Sequence, residues 1–167
     1  MKVFLSVLVF AMSLPAAAQT ADAIYRRACG PKDASFDVQL VKGQPPAAPE
    51  PGKALVYFIQ TGNFFTTRVG LDGTWAGVNQ HDSFTFASVA PGEHHACAAT
   101  LNRKHLQAVL VHFTAEAGKT YFYLLRGVVQ GGYDGAGAAF MEFEPADSDE
   151  SLALIASYPQ STATPKP

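Results

Sequence analysis

The sequence predicts an all-β protein: an antiparallel β-sandwich, immunoglobulin-like or prealbumin-like, with a short C-terminal helix. Three observations carry this. Short runs of alternating or wholly apolar residues recur along the chain, as strands require. Turn signals separate them, namely Asp72-Gly73, Pro91-Gly92 and Ala117-Gly118-Lys119. Helical spacing behind a capping residue is legible only from Asp147 onward. Strands of this length and spacing argue for two packed sheets rather than a parallel sheet flanked by helices.

Each element follows from its residues. Residues 19–34 read as a polar lead. Ser35 to Val41 alternates, with Phe36, Val38 and Leu40 on one side, as a half-buried strand does. Pro45, Pro46, Pro49 and Pro51 then prevent ladder formation, so residues 44–52 read as a linker or long loop. Ala54 to Gln60 is apolar at nearly every position, which suits a central strand covered on both faces. Thr66 to Leu71 and Trp75 to Val78 flank Asp72-Gly73, a dipeptide that accepts the positive φ angles of a two-residue hairpin. Ser83 to Val89, His94 to Thr100, Leu106 to Thr114, Thr120 to Val129 and Ala139 to Phe143 complete the strands. Gly131 to Gly137 is too glycine-rich for either regular element. Asp147 caps a helix to Ser157, with Glu150 three residues on and Leu152, Ile155 and Tyr158 on its apolar face. The tail from Pro159 reads as frayed.

The N-terminus reads as an export signal. Lys2 supplies the positive start, Val3 to Leu14 the apolar run, and Ala16-Ala17-Ala18 a small-residue cleavage pattern. The run is shorter than the roughly 20 residues a membrane span needs, and no cysteine for lipid attachment sits at the cut. The expected organisation is a signal peptide at 1–18, an N-terminal strand and Pro-rich linker at 19–52, a sandwich core at 53–145, and a helix with tail at 146–167. The expected location is periplasmic or secreted. A formal charge of −2 at pH 7 and the lack of a Lys/Arg cluster argue against nucleic acid as a partner. In an exported chain the two cysteines, Cys29 and Cys97, are expected to form one disulfide.

Four pieces in order are Lys53-Ala54-Leu55-Val56-Tyr57, Val69-Gly70-Leu71-Asp72-Gly73, Pro91-Gly92-Glu93-His94 and Glu116-Ala117-Gly118-Lys119-Thr120-Tyr121. This arrangement resembles the bacterial envelope family known as domain of unknown function number 2846. The likeness covers roughly residues 53–143. It implies a small exported β-sandwich and carries no reaction, cofactor or catalytic residue with it. Many such proteins look like lipoproteins, and this chain departs from them in lacking the lipid-attachment cysteine.

The candidate sites are few. Glu93-His94-His95-Ala96-Cys97 concentrates metal-binding side chains, but on a strand neighbours point to opposite faces. His95 falls on the Cys97 side and His94 joins Ala96 and Ala98. A metal site could still form across strands from His94 with His81 or His112, helped by Glu93 or Asp82, a donor set that suits zinc or copper. Gly131 to Gly137 lacks the Gly-Lys-Ser/Thr ending of a phosphate loop; it could meet a partner through Tyr133. Asn63-Phe64-Phe65 and Trp75 offer aromatic surface for a glycan or protein, with core packing expected for Trp75. Glu142 and Glu144 share a strand face, where a solvated exterior is expected rather than a glycosidase pair. No Gly-x-Ser-x-Gly elbow occurs.

The expectation is therefore a non-enzymatic exported envelope module with a binding or structural role, toward an envelope protein or glycan, needing no cofactor. The first alternative is a periplasmic metal- or small-ligand-binding protein using His94, His81 or His112. The second is a hydrolase with an unrecognised site.

Overall fold

The computed structural model describes residues 21–62, 66–101, 106–130 and 138–166. The expected signal peptide at 1–18, the aromatic run at 63–65 and the glycine-rich loop at 131–137 with Tyr133 lie outside the described residues. Within them the order is α1 (Ala21–Ala28), β1 (Phe36–Val41), β2 (Ala54–Thr61), β3 (Thr66–Leu71), β4 (Thr74–Gln80), β5 (Ser83–Val89), β6 (Gly92–Leu101), β7 (Leu106–Ala115), β8 (Thr120–Gln130), β9 (Ala138–Pro145), α2 (Ser148–Ser157) and β10 (Gln160–Pro165).

The strands form two packed sheets, one ordered β1-β10-β5-β2-β8-β9 and one ordered β4-β3-β6-β7. Between them lies the main core, where Val56, Phe58, Val69, Ala98, Phe113 and Leu125 meet. The protein is an all-β sandwich with a short C-terminal helix, as the strand pattern predicts. The continuous apolar run of β2 is explained by burial on both sides. Val56 and Phe58 face the core, whereas Leu55, Tyr57 and Ile59 join a second cluster on the outer face with Phe84, Leu124 and Ile155 of α2. Fully burying a side chain of this size contributes about 1.5–3 kcal/mol.

One sheet is mixed rather than wholly antiparallel: β8 runs parallel to β2, and β10 parallel to β5. The turn after β7 accounts for the first. Gly118 donates its N–H to the Lys53 carbonyl (2.8 Å), and Leu55 donates to the Lys119 carbonyl (3.0 Å). The chain thus leaves one sheet and starts β8 beside the beginning of β2, pointing the same way.

Three other readings change, and one gains detail. The polar lead contains α1, whose Tyr25, Ala28 and following Cys29 are buried against Cys97 on the outer face of the four-stranded sheet. Eight residues make a marginal helix alone, and the Cys29–Cys97 bond, with Cα atoms 5.6 Å apart, holds this one in place. The tail is not frayed: residues 160–165 form β10, which pairs with β1 over its whole length. Residues 44–52 form a long loop, as their prolines predict, and it is anchored at Ala47, whose N–H donates to the Tyr57 hydroxyl (2.6 Å) and whose carbonyl accepts from it (3.3 Å). In α2, Asp147 caps as predicted, accepting from the N–H groups of Asp149 and Glu150, but Leu152 is exposed while Ser151 and Ile155 are buried.

Candidate functional site

The His-rich stretch opens β6 and meets the β3–β4 hairpin. Asp72 and Gly73 have φ angles of 49° and 80°, the paired positive values a two-residue hairpin turn demands. That turn aims the Asp72 carboxylate at β6. One oxygen accepts from the His95 N–H (2.9 Å) and the other lies 2.6 Å from His94 Nδ1. The Asp72 N–H in turn donates to the His95 carbonyl (2.8 Å). On its far side, His94 Nε2 lies 2.7 Å from the Ala90 carbonyl, in the turn before β6.

Both partners of the His94 ring are acceptors, an arrangement that favours the protonated ring, which donates from both nitrogens. Burial opposes that charge, the residue being only 9% exposed. The hydrogen bonds to Asp72 and Ala90 and the attraction of the Asp72 carboxylate outweigh it, and the His94 pKa is raised. The ring also packs on Phe113, with centroids 5.5 Å apart. His94 is therefore a structural clasp with both ring nitrogens engaged.

The trio expected from the sequence is not assembled. His112 lies directly opposite His95 in the β6–β7 register, so it sits on the other face of the sheet from His94. His81 is exposed in the turn after Gln80, which pairs with Thr66, whereas His94 is near Leu71 at the opposite end of β3. Among the described residues no three or more His, Cys, Asp or Glu side chains are grouped to hold a metal ion. The register instead joins His95 and His112, with ring centroids 4.9 Å apart and Glu93 Oε2 3.9 Å from His112 Nε2. An open cleft of about 250 Å3 beside them is lined by Ile24, Arg27 and Leu110 as well as both rings.

A larger cleft of about 400 Å3 opens beside α1, lined by Tyr25, Arg26, Cys29 and Lys32 among others. Asp22 occupies both cations, pairing with Arg26 at 2.8 Å and Lys32 at 3.0 Å. Near it Arg68 is almost fully buried, where desolvation lowers its pKa. Its Nη1 donates to the carbonyls of Ala34 (2.8 Å) and Lys32 (3.2 Å), and its guanidinium lies 4.4 Å from the centre of the Trp75 ring. Trp75 Nε1 donates to the Pro31 carbonyl (2.8 Å). The tryptophan is thus built into the packing that holds residues 30–34, as core packing predicts. Met141 and Phe143 are buried while Glu142 and Glu144 are exposed, so the two carboxylates form a solvated strand face.

Neither the clasp role of Asp72 nor the burial of Arg68 is legible in the sequence. The Asp-Gly dipeptide signals a turn, and only the pairing of β3 with β6 brings its carboxylate to His94. No protein-family model matches this chain, and no curated protein matches it.

Proposed function

We propose that this chain is an exported, non-enzymatic module of the cell envelope, periplasmic or secreted, that acts by binding an envelope protein or glycan or as a structural unit. The observation that carries the reading is the Cys29–Cys97 disulfide, which ties α1 to the centre of a sheet. Such bonds persist in oxidising compartments. No helix among the described residues is long and apolar enough to cross a membrane.

A second support is what the ordered motifs do. Asp72 and His94 hold one another, Gly118 and Lys119 dock on β2, and the Tyr121 hydroxyl accepts from the Glu116 N–H at 3.0 Å. These residues serve architecture, which agrees with grouping the chain with the exported domains of unknown function number 2846.

The test is expression with the native N-terminus, followed by fractionation, mass spectrometry and thiol titration of the unfolded, unreduced protein. The expected product is periplasmic, lacks residues 1–18 and has no titratable thiol. A cytoplasmic product with two thiols overturns the export reading. Saturable retention on isolated envelope material, competed by unlabelled protein, is expected of a binding module; its absence removes the binding role.

A further inference from the structure

We propose that the cleft beside α1 binds a small carboxylate ligand, held by the Arg68 guanidinium and the Tyr25 hydroxyl. The inference goes beyond the proposed envelope role and does not depend on it. The observation behind it is a buried cation with most of its donors unspent. Arg68 is 3% exposed, and its Nη1 donates to the Lys32 and Ala34 carbonyls. Its Nε and Nη2 are buried and have no hydrogen-bond partner among the described residues, and the same holds for the Tyr25 hydroxyl. The unused edge, Nε with Nη2, is the fork whose parallel N–H bonds match the two oxygens of a carboxylate. A charged donor left buried and unpaired is costly, so an anion that meets the fork is favoured.

The cleft supplies the route. Its volume of about 400 Å3 suits a small molecule, and Tyr25, Arg26, Gly30, Pro31 and Lys32 line it. Arg68 stands behind this wall. It bonds to the Lys32 carbonyl, and its guanidinium lies against Trp75, whose Nε1 donates to the Pro31 carbonyl. Burial raises the Tyr25 pKa and lowers that of Arg68, and attraction between the two groups offsets part of each shift, so they lie within electrostatic reach of one another. Lys32 Nζ, on a side chain 62% exposed, lies 5.2 Å from the centre of the Tyr25 ring and is the group that moves aside as a ligand enters. Charge favours an anion, since Arg26, Lys32 and Arg68 stand against one carboxylate, Asp22. The exposed Arg26 and Lys32 draw the ligand in, and its carboxylate then completes Arg68 and accepts from the Tyr25 hydroxyl.

The experiment uses the disulfide-bonded full chain and succinate as the probe, titrated at constant ionic strength with chloride as the balancing anion. Trp75 is the only tryptophan in the chain, so its fluorescence and its indole N–H resonance report on the Arg68 side of the cleft. A saturable change is expected with succinate, and none with the neutral analogue succinamide. Arg68→Lys keeps the charge but loses the fork, and should weaken succinate binding about tenfold or more. Tyr25→Phe removes only the hydroxyl and should weaken it about threefold or more. Lys42→Gln, outside the cleft, should leave it unchanged. Thermal melts show which variants fold, and Tyr25→Phe decides if Arg68→Lys does not. No saturable change with succinate, an equal response to succinamide, or wild-type affinity in a folded Arg68→Lys or in Tyr25→Phe overturns the site. Tighter binding of inorganic phosphate than of succinate overturns the assignment to a carboxylate.

Discussion

His94 and Asp72, 22 positions apart in sequence, clasp the start of β6 to the β3–β4 turn, with Nδ1 and Oδ2 separated by 2.6 Å. Because the imidazolium is the form that fits between a carboxylate and a carbonyl, folding raises the pKa of this ring above that of the unfolded chain. The resulting stabilisation is fully present below the unfolded value of about 6.5 and is lost as pH rises through the folded value. Urea unfolding between pH 5.5 and 8.5 should show stability falling with rising pH. In His94→Gln that pH dependence should flatten, and the variant should be less stable by about 1.5–3 kcal/mol at the acidic end, the size of a charge-assisted hydrogen bond. An unchanged pH slope in the variant would assign the dependence elsewhere.

Removing the disulfide by paired Cys29→Ser and Cys97→Ser substitutions should cost on the order of 4 kcal/mol, given a sequence separation of 68. The loss should be uneven. Amide exchange is expected to speed up first in α1, which is too short to persist unaided. Uniform loss of protection across both sheets would contradict this.

Gly70 is where α1 touches the sheet. A Cβ there would stand 2.7 Å from the Ala28 carbonyl oxygen, 2.8 Å from Cys29 Cα and 2.8 Å from Cys97 Sγ. Two of these neighbours are backbone, so they cannot swing aside. Gly70→Ala should destabilise by about 1–3 kcal/mol, the range for overpacking, measured by urea unfolding. Gly43→Ala serves as a contrast, having nothing within 4 Å but a φ of +74°; it should show backbone strain without crowding and leave α1 protection intact.

Tyr57→Phe keeps the ring within its aromatic cluster, stacked on Phe122 at 5.6 Å, but removes the hydroxyl that holds Ala47. The expected cost is about 1 kcal/mol. Proteolytic cleavage within residues 44–52 should accelerate, since the segment loses its anchor. Equal cleavage rates would show that packing alone holds it.

The strands were legible because their signals are local: alternation, apolar runs and turn dipeptides. Asp72-Gly73 marks its hairpin, and Asp147 marks the start of α2. The polar strand β10 has no such signal. Its sequence, QSTATP, offers no apolar face, and it is held by backbone pairing with β1 and by the buried Ser161 hydroxyl donating to the Val78 carbonyl. The outward turn of Leu152 likewise depends on how α2 lies over β2 and β8. The site was legible in composition and not in pairing. The strand period separates His94 from His95, but only the β6–β7 register selects His112 as the partner of His95 and places His81 far from both.

Truncation after Pro159 should expose this dependence. It removes the strand between β1 and β5, and amide protection in Phe36–Val41 should disappear while that of β6 and β7 is retained. Hydrogen exchange followed by mass spectrometry distinguishes this from global unfolding. Persistent protection of β1 would mean that its contacts with β4 suffice.

The position of β10 also sets a timetable. In its sheet β1 has β10 as its neighbour, and Phe36 pairs with Pro165. A chain made or threaded from its N-terminus therefore carries β1 without this sheet partner until residues 160–165 arrive. That edge of the sandwich joins segments more than a hundred positions apart in sequence. Contacts of such long range slow folding, so the pairing of β1 with β10 is expected to follow that of the strands between them.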